Sequence, residues 1–282
     1  MHKKPCLLIF GILLFSRAGS ALSDDVLAFA DRLLELGNYK ESITEYKRFI
    51  FFNPECEDTG YALYKMGLAY RAGRNWQEAI DAVEASILAA KDPKIADERR
   101  ITLATTLIAS GNYSLARLEL IRVSEFSDSP PLCLKATYFA GVASLYMFDW
   151  DAAGKAFGDF YSRHAGHLKE VNSILLKAKG SYKSVRLAKL LSTFFPGAGQ
   201  IYASRWRDGL NALVLNGIFI GLLANSTYKK DYTDALLAFS VLTRYYKGNI
   251  YHAELDVRKH NDSMDRRNAA KILELILEDE PK

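Results

Sequence analysis

His164 and His167 stand three apart, a spacing that sets two imidazoles on one face of a helix. With His252 or His260 they could complete a metal site, but no cysteine or second helical motif fixes such a set. A solvated or helix-capping role accounts for them, and no metal ligand is assigned. Paired acids, Asp24-Asp25 and Asp97-Glu98, read as first-turn helix charges rather than as a general acid and base. No Gly-x-Ser-x-Gly nucleophile turn is present, and neither is a phosphate loop or a dinucleotide fingerprint. Gly197-Ala-Gly199 is too short and too apolar to cradle a phosphate. The expectation is therefore a non-enzyme with no catalytic residue and no cofactor. What remains is the chemistry of contact, carried by aromatic and basic side chains in the first half and by Pro196-Gly-Ala-Gly-Gln-Ile-Tyr202 in the second.

The elements that hold the contact residues repeat. Tyr39, Trp76, Tyr113 and Trp150 follow one another at intervals of 37 residues. Three residues after each comes a small residue: Ser42, Ala79, Ala116 and Ala153. Seven after each comes a large apolar one: Tyr46, Val83, Leu120 and Phe157. Gly37-Asn, Gly73-Arg-Asn and Gly111-Asn precede the first three aromatics. Such a period is the mark of internal repetition. Each unit reads as two antiparallel helices around a glycine turn. The aromatic opens the second helix, the small residue lets the helices approach, and the large one fills the gap. The first helices are expected near 25–36, 59–72, 95–109 and 132–147, and the second near 39–51, 76–90, 113–125 and 150–163. Asn53-Pro54, Asp92-Pro93 and Ser129-Pro130-Pro131 mark the breaks between units. No strand pattern competes, so the fold class is all-α.

Residues 24–163 resemble the tetratricopeptide repeat. Gly37-Asn-Tyr-Lys-Glu-Ser-Ile-Thr-Glu-Tyr46, running on to Pro54, fits that family's second helix and closing proline, and Leu63, Gly67, Tyr70 and Ala79 fit the second unit. Ala30 and Ala104 replace the first-helix glycine, and Ser144 replaces a tyrosine-type residue. The resemblance implies a solenoid that scaffolds protein contacts. It also implies a concave face made by the first helices. There the candidate partner-binding residues are Tyr61, Tyr64, Leu68 and Arg71, then Glu98, Ile101 and Thr105, then Lys135, Tyr138 and Val142. The same tyrosines could instead pack between helices.

Residues 164–187 read as a basic connecting helix. Residues 188–262 form a small hydrophobic helical domain, and 263–282 an amphipathic tail. The motif residues Pro196, Gly197, Gly199, Gln200 and Tyr202 have distinct expected uses. Pro196 breaks a helix, the glycines allow close backbone approach, Gln200 hydrogen-bonds across a helix pair, and Tyr202 suits a membrane interface. Gly209–Ala224 and Ala235–Tyr246 are apolar but each falls short of about 20 residues. Lys229-Lys230 between them would favour the cytoplasmic side if both span, while Arg205, Arg207, Arg244 and Lys247 flank the opposite ends. The region resembles a group of uncharacterised bacterial membrane domains with a Pro-Gly-x-Gly-Gln-x-Tyr motif, and Tyr246-Lys-Gly-Asn-Ile-Tyr251 and Lys259-His-Asn261 resemble that group's second half. That resemblance carries no activity. A soluble helical cap on the repeats is the alternative.

Charge follows the same division. Residues 169–260 hold 14 Lys and Arg against 6 Asp and Glu, whereas residues 24–168 hold 16 against 21. Positive charge around an apolar region suits anionic lipid and does not suit nucleic acid, since the basic residues interleave with apolar runs. Residues 1–22 read as an export signal: Lys3 and Lys4, an apolar stretch Cys6–Phe15 and a small-residue site Ala18-Gly-Ser-Ala21. Cys56 and Cys133 sit two units apart, too far to bridge. Together these features lead to the expectation of an exported, envelope-located adaptor. It would bind a protein or peptide through the repeats and be membrane-associated through residues 188–251. Two alternatives stay open: an assembly factor that works through the second domain, and a free periplasmic repeat protein.

Overall fold

The computed structural model describes residues 25–281, so the signal-like stretch at residues 1–22 lies outside the described residues. All regular structure among the described residues is helical. Two compact units are present.

The first unit comprises the described residues up to Leu168 together with residues 279–281. Its helices are α1 (residues 25–35), α2 (Tyr39–Phe52), α3 (Thr59–Ala72), α4 (Trp76–Leu88), α5 (Pro93–Ser110), α6 (Tyr113–Phe126), α7 (Pro130–Tyr146) and α8 (Trp150–Tyr161). From α2 onward each helix packs on the next. Every second helix starts on its periodic aromatic. Pro93 and Pro130, expected as breaks, are the first residues of α5 and α7, where a missing N–H loses no bond. Asp92 caps α5 by accepting from the Lys94 N–H at 2.9 Å.

The 37-residue period is a packing period. Ser42, Ala79, Ala116 and Ala153 are fully buried, and so, to within 1 %, are Tyr46, Val83, Leu120 and Phe157. Opposite them on the first helices stand Ala30, Gly67, Ala104 and Gly141, again 37 apart. A Cβ on Gly67 would lie 2.6 Å from Val83 Cγ2, and one on Gly141 2.7 Å from the Phe157 ring. The turns repeat too. Gly37, Arg74, Gly111 and Phe148 have φ of 78°, 60°, 89° and 56°, each two residues before its aromatic. In the second unit the left-handed residue is thus Arg74, and Gly73 has an ordinary right-handed φ of −77°. Cys56 and Cys133 are both free thiols.

The second unit, Lys169–Glu278, contains α9 (Leu168–Gly180), α10 (Val185–Phe194), the short α11 (Ala198–Tyr202), α12 (Trp206–Tyr228) and α13 (Tyr232–Ile276). α10, α11 and α12 gather around α13. The structure moves two sequence boundaries. The basic connector is divided at Ser181–Ser184 into α9 and the start of α10. The separation of a tail at residue 263 has no counterpart, because α13 runs unbroken for 45 residues. No Pro occurs between Pro196 and Pro281 to stop it, and its only interior glycine is Gly248.

Candidate functional site

Two places gather the residues singled out by the sequence. The first is a cavity of about 480 Å³ in the repeat unit, lined by Tyr64 and Arg71 of α3, Glu98, Ile101, Thr102 and Thr105 of α5, and Lys135 and Phe139 of α7, with Glu280 at its edge. Helical spacing explains the lining, since residues three or four apart share a face. Tyr64 Oη and Thr102 Oγ1 are 3.2 Å apart, and Arg71 donates to Thr105 Oγ1 at 3.0 Å. These bonds hold both long side chains across the wall, so a ligand meets a partly pre-ordered surface. Burial pulls the Arg71 guanidinium below its ordinary pKa, and Tyr64 partly offsets that.

Tyr64, Arg71, Glu98 and Lys135, expected on the concave face, therefore do share one cavity. Ile101 and Thr105 join them, whereas Tyr61, Leu68, Tyr138 and Val142 do not line it. Tyr138 is buried, edge-on to Phe139 and tilted against Phe160, and burial together with Glu280 and Asp279 pushes its hydroxyl up to about 12. It is a core residue, because α7 is apolar on nearly all sides. Tyr61 donates to Asp31 Oδ2 at 3.0 Å and lies under Lys65, so it ties α3 to α1. Thr102, Phe139 and Glu280 line the cavity without having been singled out, and Glu280 lies far away in sequence.

The second place is the Pro196–Tyr202 element. Gly197 has φ of 95°, and an added Cβ would lie 2.0 Å from the Gly209 carbonyl oxygen. Gly199 packs so closely on α10 that a Cβ would lie 2.3 Å from the Ala188 oxygen. That approach admits a buried polar knot. Gln200, 2 % exposed, donates from Nε2 to Asn249 Oδ1 at 2.8 Å and to the Asn249 backbone oxygen at 3.0 Å, and its Oε1 accepts from Ser192 Oγ at 3.1 Å. Asn249 Oδ1 also accepts from the Gly197 N–H at 3.0 Å, and the Gly199 N–H donates to Ser192 Oγ at 3.0 Å. Tyr202 Oη accepts from the Ser184 N–H at 3.0 Å, while Lys183 Nζ donates to the Tyr202 carbonyl at 2.8 Å. Asn261 then clamps Lys183 through both backbone groups at 3.0 Å. The motif is thus an internal joint between α10, α11 and α13. Gln200 makes the cross-helix bond expected of it, and Tyr202 is engaged with the Ser184 turn. Ser192, Asn249 and Asn261 complete the joint. The two asparagines lie inside the Tyr246–Tyr251 and Lys259–Asn261 segments that the sequence had marked without a role.

With this geometry in hand the chain can be set beside known proteins. A family model described as tetratricopeptide repeat matches residues 61–85, which is most of α3 and the first part of α4. The match covers one helix pair. Among solved structures, a tetratricopeptide repeat protein from Parabacteroides merdae is similar at 15 % identity, over 90 % of this chain and 98 % of that chain, with a TM-score of 0.49. No curated protein matches the chain.

The histidines do not meet as a group. His164 lies 5.0 Å from the Phe160 ring, and His167 bonds Asp279 through both its backbone N–H and Nδ1, at 3.2 and 3.0 Å. His252 and His260 belong to the second unit. Among the described residues no three His, Cys, Asp or Glu side chains are grouped to hold a metal ion.

Proposed function

We propose that the protein is a membrane-attached adaptor: the repeat unit captures a protein or peptide through the Tyr64–Arg71–Lys135 cavity, and the α12–α13 pair holds it at a bilayer. A helical-repeat scaffold of this kind is suited to protein–protein contact and needs no catalytic group. The observation that carries the membrane half is the uncovered apolar surface of α12. Its 23 residues span about 34 Å at 1.5 Å per residue, enough for a hydrocarbon core of about 30 Å. Leu213, Val214, Leu215, Ile218, Ile220 and Leu222 are each 40–52 % exposed, and Leu236, Leu237 and Phe239 of α13 more so. Moving the exposed half of each of these nine side chains out of water is worth roughly 1 kcal/mol apiece. Export and envelope location are consistent with this reading and belong to the proposal.

The buried joint at Gln200 and Asn249 supports a division of labour. It turns the motif inward, so the motif supplies the mount for the apolar pair and not a contact surface for an assembly partner.

Alkaline carbonate extraction of membranes tests the attachment. The comparison is the full chain against the full chain with Leu213→Glu and Ile220→Glu. Truncation is a poor comparison because it also removes Asp279 from the repeat unit. The intact chain is expected to stay in the extracted membrane and the doubly substituted chain to be released. Release of the unsubstituted chain would refute the attachment.

A further inference from the structure

Within the second unit, a cavity of about 710 Å³ opens between α12 and α13 at the end nearer the Gln200 joint. About half of its wall is polar although it belongs to the most apolar helices of the chain. Asn216 lies inside Gly209–Ala224 and Arg244 inside Ala235–Tyr246, and both line the cavity. Polar and ionisable groups in such stretches turn to a cavity and mark the path of a ligand.

Asn216 shows what the cavity lacks. Its side chain is 2 % exposed, and Nδ2 donates to the Ala212 carbonyl at 2.7 Å. Oδ1 has no hydrogen-bond partner among the described residues. A buried acceptor left so is destabilising, and a donor from a ligand removes that penalty. Charge gives the second requirement. Arg205 and Asp208 pair with each other at 2.8 Å. Arg244 and Lys259 have no ion-pair partner among the described residues, and the remaining carboxylate of the lining, Asp256, offsets one of them. Counting Lys and Arg against Asp and Glu, the lining therefore carries one positive charge in excess. The third requirement is room. Gly248 forms part of the α13 wall, and a Cβ there would meet nothing within 4 Å.

We propose that this cavity binds a ligand carrying a phosphodiester monoanion next to a hydroxyl group. The anion sits at Arg244, and the hydroxyl donates to Asn216 Oδ1. A guanidinium presents paired N–H groups that match phosphate oxygens, and basic pockets between apolar helices receive anionic headgroups. The same chemistry has two sources: the headgroup of a glycerophospholipid, or a soluble glycerophosphodiester. The lipid source rests on the membrane attachment proposed above.

The test is calorimetric titration of the full chain in neutral maltoside micelles. The probes are dihexanoylphosphatidylglycerol, dihexanoylphosphatidylcholine and chain-free glycerophosphoglycerol. Saturable binding of dihexanoylphosphatidylglycerol is expected, at least tenfold tighter than that of the choline lipid, which has no hydroxyl donor. Gly248→Leu fills the cavity from a position where added atoms meet no neighbour, and it should weaken binding at least tenfold. Arg244→Gln and Asn216→Leu should do the same, with helicity by circular dichroism unchanged for Gly248→Leu. Equal binding of glycerophosphoglycerol supports the site with a soluble ligand, and binding that needs the acyl chains supports it with a lipid. Absence of binding by both anionic probes, or wild-type affinity in Gly248→Leu, overturns it. Micelles make the result independent of carbonate retention, so failure of the site and failure of the membrane attachment are told apart.

Discussion

Replacing Asn249 with alanine should loosen the joint at the base of α12 and leave the repeats untouched. The side chain is 5 % exposed and makes three bonds: it accepts from the Gly197 N–H and from Gln200 Nε2, and it donates to the Ser192 carbonyl at 3.2 Å. In Asn249→Ala, Gln200 Nε2 keeps the residue-249 backbone oxygen as an acceptor. The Gly197 N–H keeps nothing. Stranding that donor costs about 1–3 kcal/mol, and the two other lost bonds add about 0.5–1 kcal/mol each. The sum, roughly 2–5 kcal/mol, corresponds to local opening at least about thirtyfold more frequent, at about 1.4 kcal/mol per tenfold. Hydrogen exchange of the full chain reads this directly, because amides at 197–203 report opening of the joint while those at 103–107 report α5. The expected result is fast exchange confined to the joint. Gln200→Leu should give a similar pattern, and the double variant should cost less than the sum because the two share one network. Exchange changed less than threefold at 197–203, or accelerated equally in α5, would refute the account of the motif as a joint.

Tyr64→Ala combined with Arg71→Ala should reduce partner recovery in a cross-linking pull-down at least tenfold while the melting temperature of the repeat unit moves little, since each side chain makes one side-chain hydrogen bond, to Thr102 or Thr105, and Tyr64 adds only a cation–π contact with Arg99. Asp279→Ala should destabilise the repeat unit by about 2–3 kcal/mol in urea, because Tyr161 Oη, which donates to it at 2.5 Å, and the His167 N–H lose their acceptor. The same carboxylate should give an acid transition. Burial raises Asp279, but the bonds from Tyr161 and His167 outweigh it and hold the folded value below the usual carboxylate range. Its contribution is therefore complete above the unfolded value of about 3.9 and is lost as pH falls through the folded one, which protease sensitivity near residue 279 against pH would follow. Gly111→Ala should lower stability by about 1 kcal/mol through φ of 89° alone, for a Cβ there meets no other atom within 4 Å, and thermal melting would check it.

The repeat unit was legible because one short-range rule is stated four times. An aromatic at the helix start, a small residue three on and a large one seven on fix helix boundaries and buried face together, and Tyr39, Trp76, Tyr113 and Trp150 each begin their helix. The turn was less legible. The left-handed position falls on Arg74 and Phe148 as well as on glycines, so the strain is borne by neighbouring packing and leaves no mark in residue type. Tyr64 and Arg71 could be put on one face from their spacing, but Tyr138 could not be told from them. Whether a tyrosine on an all-apolar helix faces out or in depends on what packs over it, and Phe160 and Asp279 come from elsewhere in the chain. In the second unit the glycines and Gln200 announced close packing, while their partners Ser192, Asn249 and Asn261 are ordinary polar residues without a pattern. The two apolar segments looked too short because polar residues end them. In the structure α12 extends through those residues to 23, and α13 continues as a helix long after its apolar part stops.

Asp279 belongs to the repeat unit although all of Lys169–Glu278 lies between it and Leu168. The second unit is therefore an insertion, and order of synthesis follows from that. As the chain leaves the ribosome, the four helix pairs are complete by Tyr161, but the acceptor for Tyr161 and His167 is not made until α13 has been translated. Until then the Tyr161 hydroxyl and the His167 N–H lack this acceptor, and the place beside Gly166 waits for the carboxylate, which will come so close that a Cβ on Gly166 would lie 2.6 Å from it. A chain stopped anywhere before Asp279 keeps that end open. Closure of that end is thus the last step in building the repeat unit, and it comes only after the apolar unit has been made.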